Sequence, residues 1–243
     1  MEITMEDKIV KSEAAIGKVC ALFFGPPEID FTKAGEPEYK PVNMPDGTGT
    51  GAMLEFAALG IWSYRVAAEM EGVPQNVNDY IDGLRPGLGF GCNINIYYNI
   101  QNSMGIIYKY MKNENSDDNI DFNGYTSTSD DINVNFIGLN YQYSTLQRGH
   151  FAYNFGLGAG YVAYRNRSSA DDFIFTLKGG TYGFSLMNRF NLMTEENVAF
   201  FLDVSFFYAA LQAYKFEGHT VELDEADNLS RFELGIGIKF IGE

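Results

Sequence analysis

Six charged residues fall on the small, polar side of segments that otherwise alternate with bulky apolar residues. They are Glu55, Lys109, Arg189, Asp203, Glu233 and Lys239. Side chains of both signs in such positions can form ion pairs, and a buried charge left without a partner is costly. The pattern therefore predicts a paired network in the interior of the fold. The same residues could also act as a gate, in which rearranged pairs open a narrow pore.

Catalytic and metal-binding patterns are weak. A membrane-embedded hydrolase would need a histidine beside a serine or carboxylate at one rim, and the two histidines are His150, in a predicted tight turn, and His219, in a predicted long loop. The two cysteines have no metal-ligand spacing. Acidic stretches at 113–121, 126–133, 168–173 and 221–228 lack the spacing of an EF-hand Ca²⁺ loop. We predict no enzyme activity, no cofactor and no metal, with the hydrolase kept as an alternative.

Composition limits the class of protein. The chain has 243 residues, a net charge of −15 and 46% hydrophobic residues, so it can form a large apolar surface. The negative charge argues against a nucleic-acid partner, because phosphate binding needs clustered Lys and Arg. No apolar run reaches the roughly 18 residues of a transmembrane helix, but membrane β-strands need only about 9–11 alternating residues.

The charged positions lie in segments with strand periodicity. In FAYNFGLGAGYVAYR (151–165) bulky side chains occupy odd positions, and Gly156, Gly158 and Gly160 lie between them. Segments 87–100, 198–212 and 229–240 alternate as clearly, and 54–66, 104–112, 131–146 and 182–192 do so less cleanly. This pattern predicts eight strands. In 131–146 the apolar side changes between Phe136 and Ile137, which predicts a β-bulge beside Gly138.

The connections between these strands alternate in length. Segments 99–103, 147–150 and 193–197 are short, whereas 67–85, 113–129, 166–172 and 215–228 are long and acidic. Short turns at one end and long loops at the other are typical of an up-and-down antiparallel barrel. In the first long loop, Val77, Tyr80, Ile81 and Leu84 have helical spacing and predict a short helix that caps the mouth.

Steric size decides which side of the strands faces outward. Eight strands enclose an interior just wide enough for side chains, so glycines and paired charges fit there and a crowd of aromatic rings does not. A large apolar belt exposed to water would aggregate, whereas lipid accommodates it. We therefore predict an all-β, eight-stranded antiparallel up-and-down transmembrane β-barrel. Its predicted lipid-facing belt is Trp62, Phe90, Ile94, Phe155, Phe184, Phe200, Phe206, Phe232, Ile236 and Phe240.

Several stretches of residues 51–241 resemble the small outer-membrane β-barrel proteins of Bacteroides-type bacteria, in the broad OmpA-like and OmpW-like class. They are GIWSYRVAAEMEGVPQNVNDYIDGLRPGLGFG, SDDINVNFIGLNYQYS, GLGAGYVAYRN and NLSRFELGIGIKF. The resemblance implies a bacterial outer-membrane location, contact with outer-membrane lipid and lipopolysaccharide, and a monomeric barrel. It implies no catalytic activity and does not identify an extracellular partner.

The chain divides into two predicted parts: a Pro/Gly-rich segment, 1–50, that is extended or disordered, and the barrel, 51–243. The first residues are acidic and Lys18 interrupts the apolar run, unlike a signal peptide. The resulting hypothesis is a structural or surface-interaction protein with a largely plugged lumen. A narrow channel or small hydrophobic-solute conduit is one alternative, and a soluble calycin-like carrier is another.

Overall fold

The computed structural model describes residues 53–66, 74–99, 101–118, 127–145, 151–171, 173–195 and 197–242. The predicted N-terminal segment 1–50 and His150 lie outside these described residues. The strands are β1 (Met53–Arg65), β2 (Pro86–Tyr97), β3 (Asn102–Asp117), β4 (Thr128–Ser144), β5 (Phe151–Ala170), β6 (Phe173–Glu195), β7 (Val198–Phe216), β8 (His219–Asn228) and β9 (Arg231–Gly242), with helix α1 (Gln75–Gly83) between β1 and β2. No helix in the described part of the chain is long and apolar enough to cross a membrane.

The strands form a closed ring. Each strand from β1 to β7 pairs antiparallel with the next one in the chain, and β9 pairs antiparallel with both β7 and β1. The predicted fold, an eight-stranded antiparallel up-and-down barrel, is confirmed. Helix α1 also confirms the helix predicted from the spacing of Val77, Tyr80, Ile81 and Leu84.

The eighth position in the ring is filled by two strands placed end to end. The inner part of β7 pairs with β9, from Val198↔Phe240 to Phe207↔Arg231. Its outer part pairs with β8, and the first pairs, Ala210↔Asn228 and Leu211↔Asp227, continue the register of the β9 ladder before a register shift between Leu211 and Ala213. The amide of Leu229 bridges them by donating to the carbonyl oxygen of Ala209 at 2.9 Å. The expectation of a loop over 215–228 was therefore wrong for most of that segment.

Strands also extend into two other predicted loops, 113–129 and 166–172. The β3–β4 ladder continues outward to Asp117↔Thr128, and the β5–β6 ladder continues to Ala170↔Phe173. The acidic and polar residues of 113–117 and 166–170 have low intrinsic β-propensity, which is why the sequence indicated loops. Pairing with a neighbouring strand overrides that preference. The outer ends of β3, β4, β5 and β6 therefore form a four-stranded extension of the barrel.

The β-bulge predicted beside Gly138 is absent. The β4 register is unbroken against both β3 and β5 through Gly138. Even-numbered β4 residues stay inside, so Phe136 is fully buried while Ile137 is exposed. The apolar side changes because the interior itself changes from polar to apolar along the strand. A register shift does occur on β7, where Gly183 pairs with Ala209 but Lys178 pairs with Lys215.

Strands β4 and β5 approach closely where Gly138 pairs with Gly160. A Cβ atom on Gly160 would overlap the backbone of Ile137 and Gly138, neither of which can turn aside as a flexible side chain does. By contrast, a Cβ on Gly60, which faces outward on β1, would have no atom within 4 Å. Glycine is thus required at 160 by the neighbouring strand and is optional at 60.

We expect Gly160→Val to lower the free energy of unfolding by about 1–3 kcal/mol, the usual cost of overpacking. Urea titration of the refolded protein in detergent, followed by the gel shift between folded and heated forms, measures this. Gly60→Val is the matched control and should unfold at the wild-type urea concentration. Equal midpoints for the two variants would contradict the close approach of β4 and β5.

Candidate functional site: the barrel interior

All six charges selected from the sequence lie inside the barrel. Their relative exposures are 3% or less: Glu55 0%, Lys109 2%, Arg189 3%, Asp203 2%, Glu233 3% and Lys239 3%. A seventh charge, Arg231, is 2% exposed in the interior and was missed. Alternation on β9 would have found it, because Arg231 and Glu233 are two residues apart and so share one side of the strand.

The carboxylate of Glu55 is the centre of the first cluster. It accepts hydrogen bonds from Tyr97 Oη at 2.7 Å, from Asn95 Nδ2 at 2.9 Å and from Lys239 Nζ at 3.1 Å. Arg189 Nη1 lies 3.8 Å from the same carboxylate. Both charge partners come from other strands, Lys239 from neighbouring β9 and Arg189 from β6. Together with Asn93 Nδ2, which donates at 3.4 Å, these groups compensate one fully buried negative charge.

Arg189 joins this cluster to a second carboxylate. Its Nε donates to Asp203 Oδ2 at 3.1 Å, and its Cζ lies 4.0 Å from the centre of the Phe201 ring. A guanidinium stacked on an aromatic face keeps favourable electrostatics where water is excluded. Four of the predicted charges, Glu55, Arg189, Asp203 and Lys239, therefore form one continuous network.

The second cluster surrounds Glu233. Lys109 Nζ lies 2.5 Å from Glu233 Oε2, and Arg231 Nε donates to Oε1 at 2.9 Å. Ser205 Oγ donates to Oε2 at 3.0 Å, while Lys109 also donates to Ser185 Oγ at 3.0 Å. Lys109 comes from β3 and Glu233 from β9, so the ion pair crosses the lumen and ties strands that are not neighbours.

An apolar layer lies beyond the Glu233 cluster. Phe136 and Phe207 meet edge to face with their ring centres 5.3 Å apart, and Arg231 Cζ lies 4.3 Å from the Phe207 ring. Met111 and Val162 are fully buried in the same cluster of side chains. Steric size predicts that aromatic rings lie outside the barrel. This prediction is wrong for Phe136, Phe201 and Phe207, because the interior accepts single rings stacked on each other or on guanidinium groups.

Helix α1 covers the outer end of this apolar layer. Val77 and Tyr80 are buried and belong to the same hydrophobic cluster as Phe136. The Tyr80 hydroxyl donates to Asp130 Oδ2 at 2.7 Å, and Asn115 Nδ2 donates to the Tyr80 carbonyl oxygen at 2.8 Å. Burial, and then the hydrogen bond to the Asp130 carboxylate, raise the pKa of the Tyr80 hydroxyl above its ordinary value.

The predicted belt residues point to the outside of the strands. Their exposures include Trp62 48%, Phe90 52%, Ile94 52%, Phe184 58%, Phe200 52%, Phe232 59%, Ile236 71% and Phe240 47%. Phe155 and Phe206 are half-buried on the same surface. Phe206 packs against Phe232 with ring centres 5.1 Å apart. Outward asparagines are covered by tyrosines: Tyr108 Oη donates to Asn135 at 2.8 Å and Tyr153 Oη to Asn188 at 2.6 Å.

No group of three or more His, Cys, Asp or Glu side chains among the described residues could hold a metal ion. His219 is exposed in the hairpin between β7 and β8. The described interior is held together by ion pairs and hydrogen bonds.

No protein-family model and no curated protein matches the sequence. Solved structures do match the fold. A major outer membrane protein from Thermus thermophilus has a TM-score of 0.51 at 11% identity, covering 78% of this chain and 99% of that one. OprG from Pseudomonas aeruginosa has a TM-score of 0.48 at 11% identity, covering 79% and 96%. Ail of Yersinia pestis has 0.45 at 12%, covering 79% and 99%. At these identities the similarity concerns the fold.

We expect Glu233→Ala to lower the free energy of unfolding by about 3–5 kcal/mol, because it leaves buried cations without their carboxylate. Urea unfolding in detergent measures the loss. Glu114→Ala is the control, since Glu114 pairs with Lys112 at the surface, and it should change stability by about 0.5 kcal/mol or less. Similar losses for both variants would mean that the Glu233 cluster does not stabilise the barrel.

Docking of α1 should weaken at alkaline pH. The folded-state pKa of Tyr80 is raised. The protonated Tyr80 hydroxyl therefore stabilises the docked helix fully below the ordinary tyrosine pKa of about 10, and this stabilisation declines as pH rises above that value. Tyr80→Phe should remove this dependence and lower the local opening free energy of α1 by about 1–2 kcal/mol at neutral pH.

Hydrogen exchange of the Gln75–Gly83 amides, normalised to intrinsic rates at each pH, is the measurement. Tyr182→Phe is a suitable control, since Tyr182 is 76% exposed on the outer wall. Identical α1 protection in wild type and Tyr80→Phe would show that the Asp130 contact does not hold the helix.

Proposed function

We propose that this chain is a bacterial outer-membrane protein whose barrel is closed to solutes and anchors a surface-exposed interaction platform. The observation that carries the proposal is the sequence of buried layers inside the ring: two charge clusters, the Phe136–Phe207 layer and helix α1. Membership of the Bacteroides-type family of small outer-membrane barrels is part of the proposal. It rests on the sequence resemblance described above.

The outer wall supports the membrane location. Bulky apolar side chains cover the outside of every strand in the ring, including Trp62, Phe90, Ile106, Leu139, Leu157, Phe184, Phe200 and Ile236, each between 48% and 71% exposed. Contiguous apolar surface of this extent is unfavourable in water and suited to hydrocarbon. The closed ring also pairs the backbone of each strand on both sides, which a membrane requires because lipid offers no hydrogen-bond partners.

The outer extensions support the surface role. In bacterial barrels the turns on the periplasmic side are short and the outer segments are long, so the extended ends of β3 to β6 and helix α1 would face outside the cell. The tip of the extension carries Phe173 and Ile174, which are 57% and 58% exposed. They lie far along β6 from the belt, since Phe173 is nine residues from Tyr182. Exposed apolar side chains at such a tip are suited to contact with another surface.

The alternatives fit these observations less well. A soluble calycin-like carrier would place polar side chains in water on its outer wall, whereas here bulky apolar side chains cover that wall and two charge clusters occupy part of the interior. A channel would need a continuous path past both charge clusters and the apolar layer. A hydrolase would need a histidine near a nucleophile or carboxylate at the rim, and the exposed position of His219 offers no support for one.

Reconstitution into planar lipid bilayers tests the closed lumen. We expect the refolded wild-type chain to insert and to show no steady conductance, because interior side chains fill the ring. A general diffusion porin inserted under the same conditions shows that conductance would be detected. Stable, stepwise current from the wild-type chain would reject the closed barrel and favour the narrow channel.

A further inference from the structure

Basic side chains form a row on the outer wall of β5, β6 and β7. Arg165 pairs in register with Lys178 across β5 and β6, and Lys178 pairs with Lys215 across β6 and β7. All three side chains are exposed, as is Arg167, two residues further out on β5. Neighbouring strands lie about 4.8 Å apart, so the row is about 10 Å long. A single polyvalent anion can contact a row of that length.

These four cations have no ion-pair partner among the described residues, whereas every other described basic residue has one. Arg65, Arg85, Lys109, Lys112, Arg189, Arg231 and Lys239 each form an ion pair. Among described residues, Arg165, Arg167, Lys178 and Lys215 have no acid within ion-pair distance. Asp131 lies opposite Arg167 in register, but its carboxylate is 3.7 Å from Lys112. Although the chain has a net charge of −15, these four adjacent cations thus have no ion-pair partner among the described residues.

The row lies just outside the aromatic edge of the belt. Tyr161 and Tyr182 pair in register and pack edge to face with ring centres 6.2 Å apart. Arg165 and Lys178 each lie four residues further along their strands, about 13 Å at strand rise. Tyrosines of this kind mark the membrane interface. The cations therefore lie where the headgroups of the outer leaflet would be, and their long side chains can reach towards them.

Like charges directly opposite each other on neighbouring strands destabilise a sheet. Two such pairs occur here, Arg165 with Lys178 and Lys178 with Lys215. A bound anion would therefore remove a repulsion between cations that the protein alone does not compensate. We propose that this row binds the phosphate groups of a phosphorylated lipid in the outer leaflet. The inference rests on the proposed membrane location, and it adds a specific lipid-binding surface. Arginine and lysine side chains are suited to phosphate oxygens through charge-assisted hydrogen bonds.

The test compares lipid binding by two variants of the purified, refolded chain in neutral detergent. The first is Arg165→Gln/Lys178→Gln/Lys215→Gln. The second, Lys112→Gln, is the matched control, because Lys112 continues the same row through Asn133 but already pairs with Glu114 and Asp131. The probe is a bisphosphorylated glucosamine lipid, and native mass spectrometry gives the fraction of protein that retains it. The same lipid without its phosphates and inorganic phosphate are the comparison ligands.

We expect the wild-type chain and Lys112→Gln to retain the phosphorylated lipid equally and the triple variant to bind it at least tenfold more weakly. Added salt should weaken wild-type binding. Equal binding by the triple variant, or equal binding of the dephosphorylated lipid, would overturn the proposal. Full competition by millimolar inorganic phosphate would also overturn it, because the row would then be a site for free phosphate.

The proposed function is checked separately by the gel shift and the bilayer recording of the same variants. Both should be unchanged in the triple variant, since its three substitutions lie outside the lumen and the apolar belt. A lipid-binding failure with a normal, silent barrel rejects the lipid site alone. A conducting wild-type barrel rejects the closed lumen and leaves the lipid result unaffected.

Discussion

The narrow interior of an eight-stranded ring is the constraint on which the rest of the structure depends. Every inward side chain must fit beside those of the opposite wall, and every inward charge must find its partner there. Lys109 on β3 meets Glu233 on β9, and Arg189 on β6 meets Glu55 on β1. Because these pairs cross the lumen, a slip of one residue in any of these strands would move a charge to the outer wall. The ion pairs therefore specify the register of the ring, even where their net contribution to stability is small.

The same constraint explains which features the sequence predicts. Alternation with a period of two, combined with the narrow lumen, is enough to place Phe200 and Phe232 outside and Glu233 inside. Alternation does not identify the inward side correctly where the inward residues change from polar to apolar along a strand. On β4 the inward residues run from Asn140 to Phe136, so the apolar residues change sides without any bulge. Whether an inward position is polar or apolar depends on the side chains of the opposite wall. The sequence of a single strand does not show which side chains those are.

The outer ends of the strands show a second limit. The thickness of the hydrocarbon core limits the length of the lipid-facing part of a strand. The alternation of apolar and polar residues does not show where strand pairing ends beyond the membrane. The acidic residues of 113–117 and 221–223 have low β-propensity, yet they pair because a neighbouring strand offers its backbone groups. Helix α1 was easier to predict, because Val77, Tyr80, Ile81 and Leu84 repeat at helical spacing within a segment that has no strand alternation.

The register shift on β7 links the interior to the outer wall. From the pair Gly183↔Ala209 to the pair Lys178↔Lys215, β6 advances by five residues and β7 by six, so the sides of β7 exchange there. Beyond the shift, Tyr214 turns inward, where it packs on Tyr164 with ring centres 5.4 Å apart and hydrogen-bonds to Asp227. Its neighbour Lys215 necessarily turns outward, into register with Lys178. Without the extra residue in β7, Tyr214 would face outward and the basic row would end at β6. The register shift therefore completes the packing at the mouth of the barrel and also places the third cation on the outer wall.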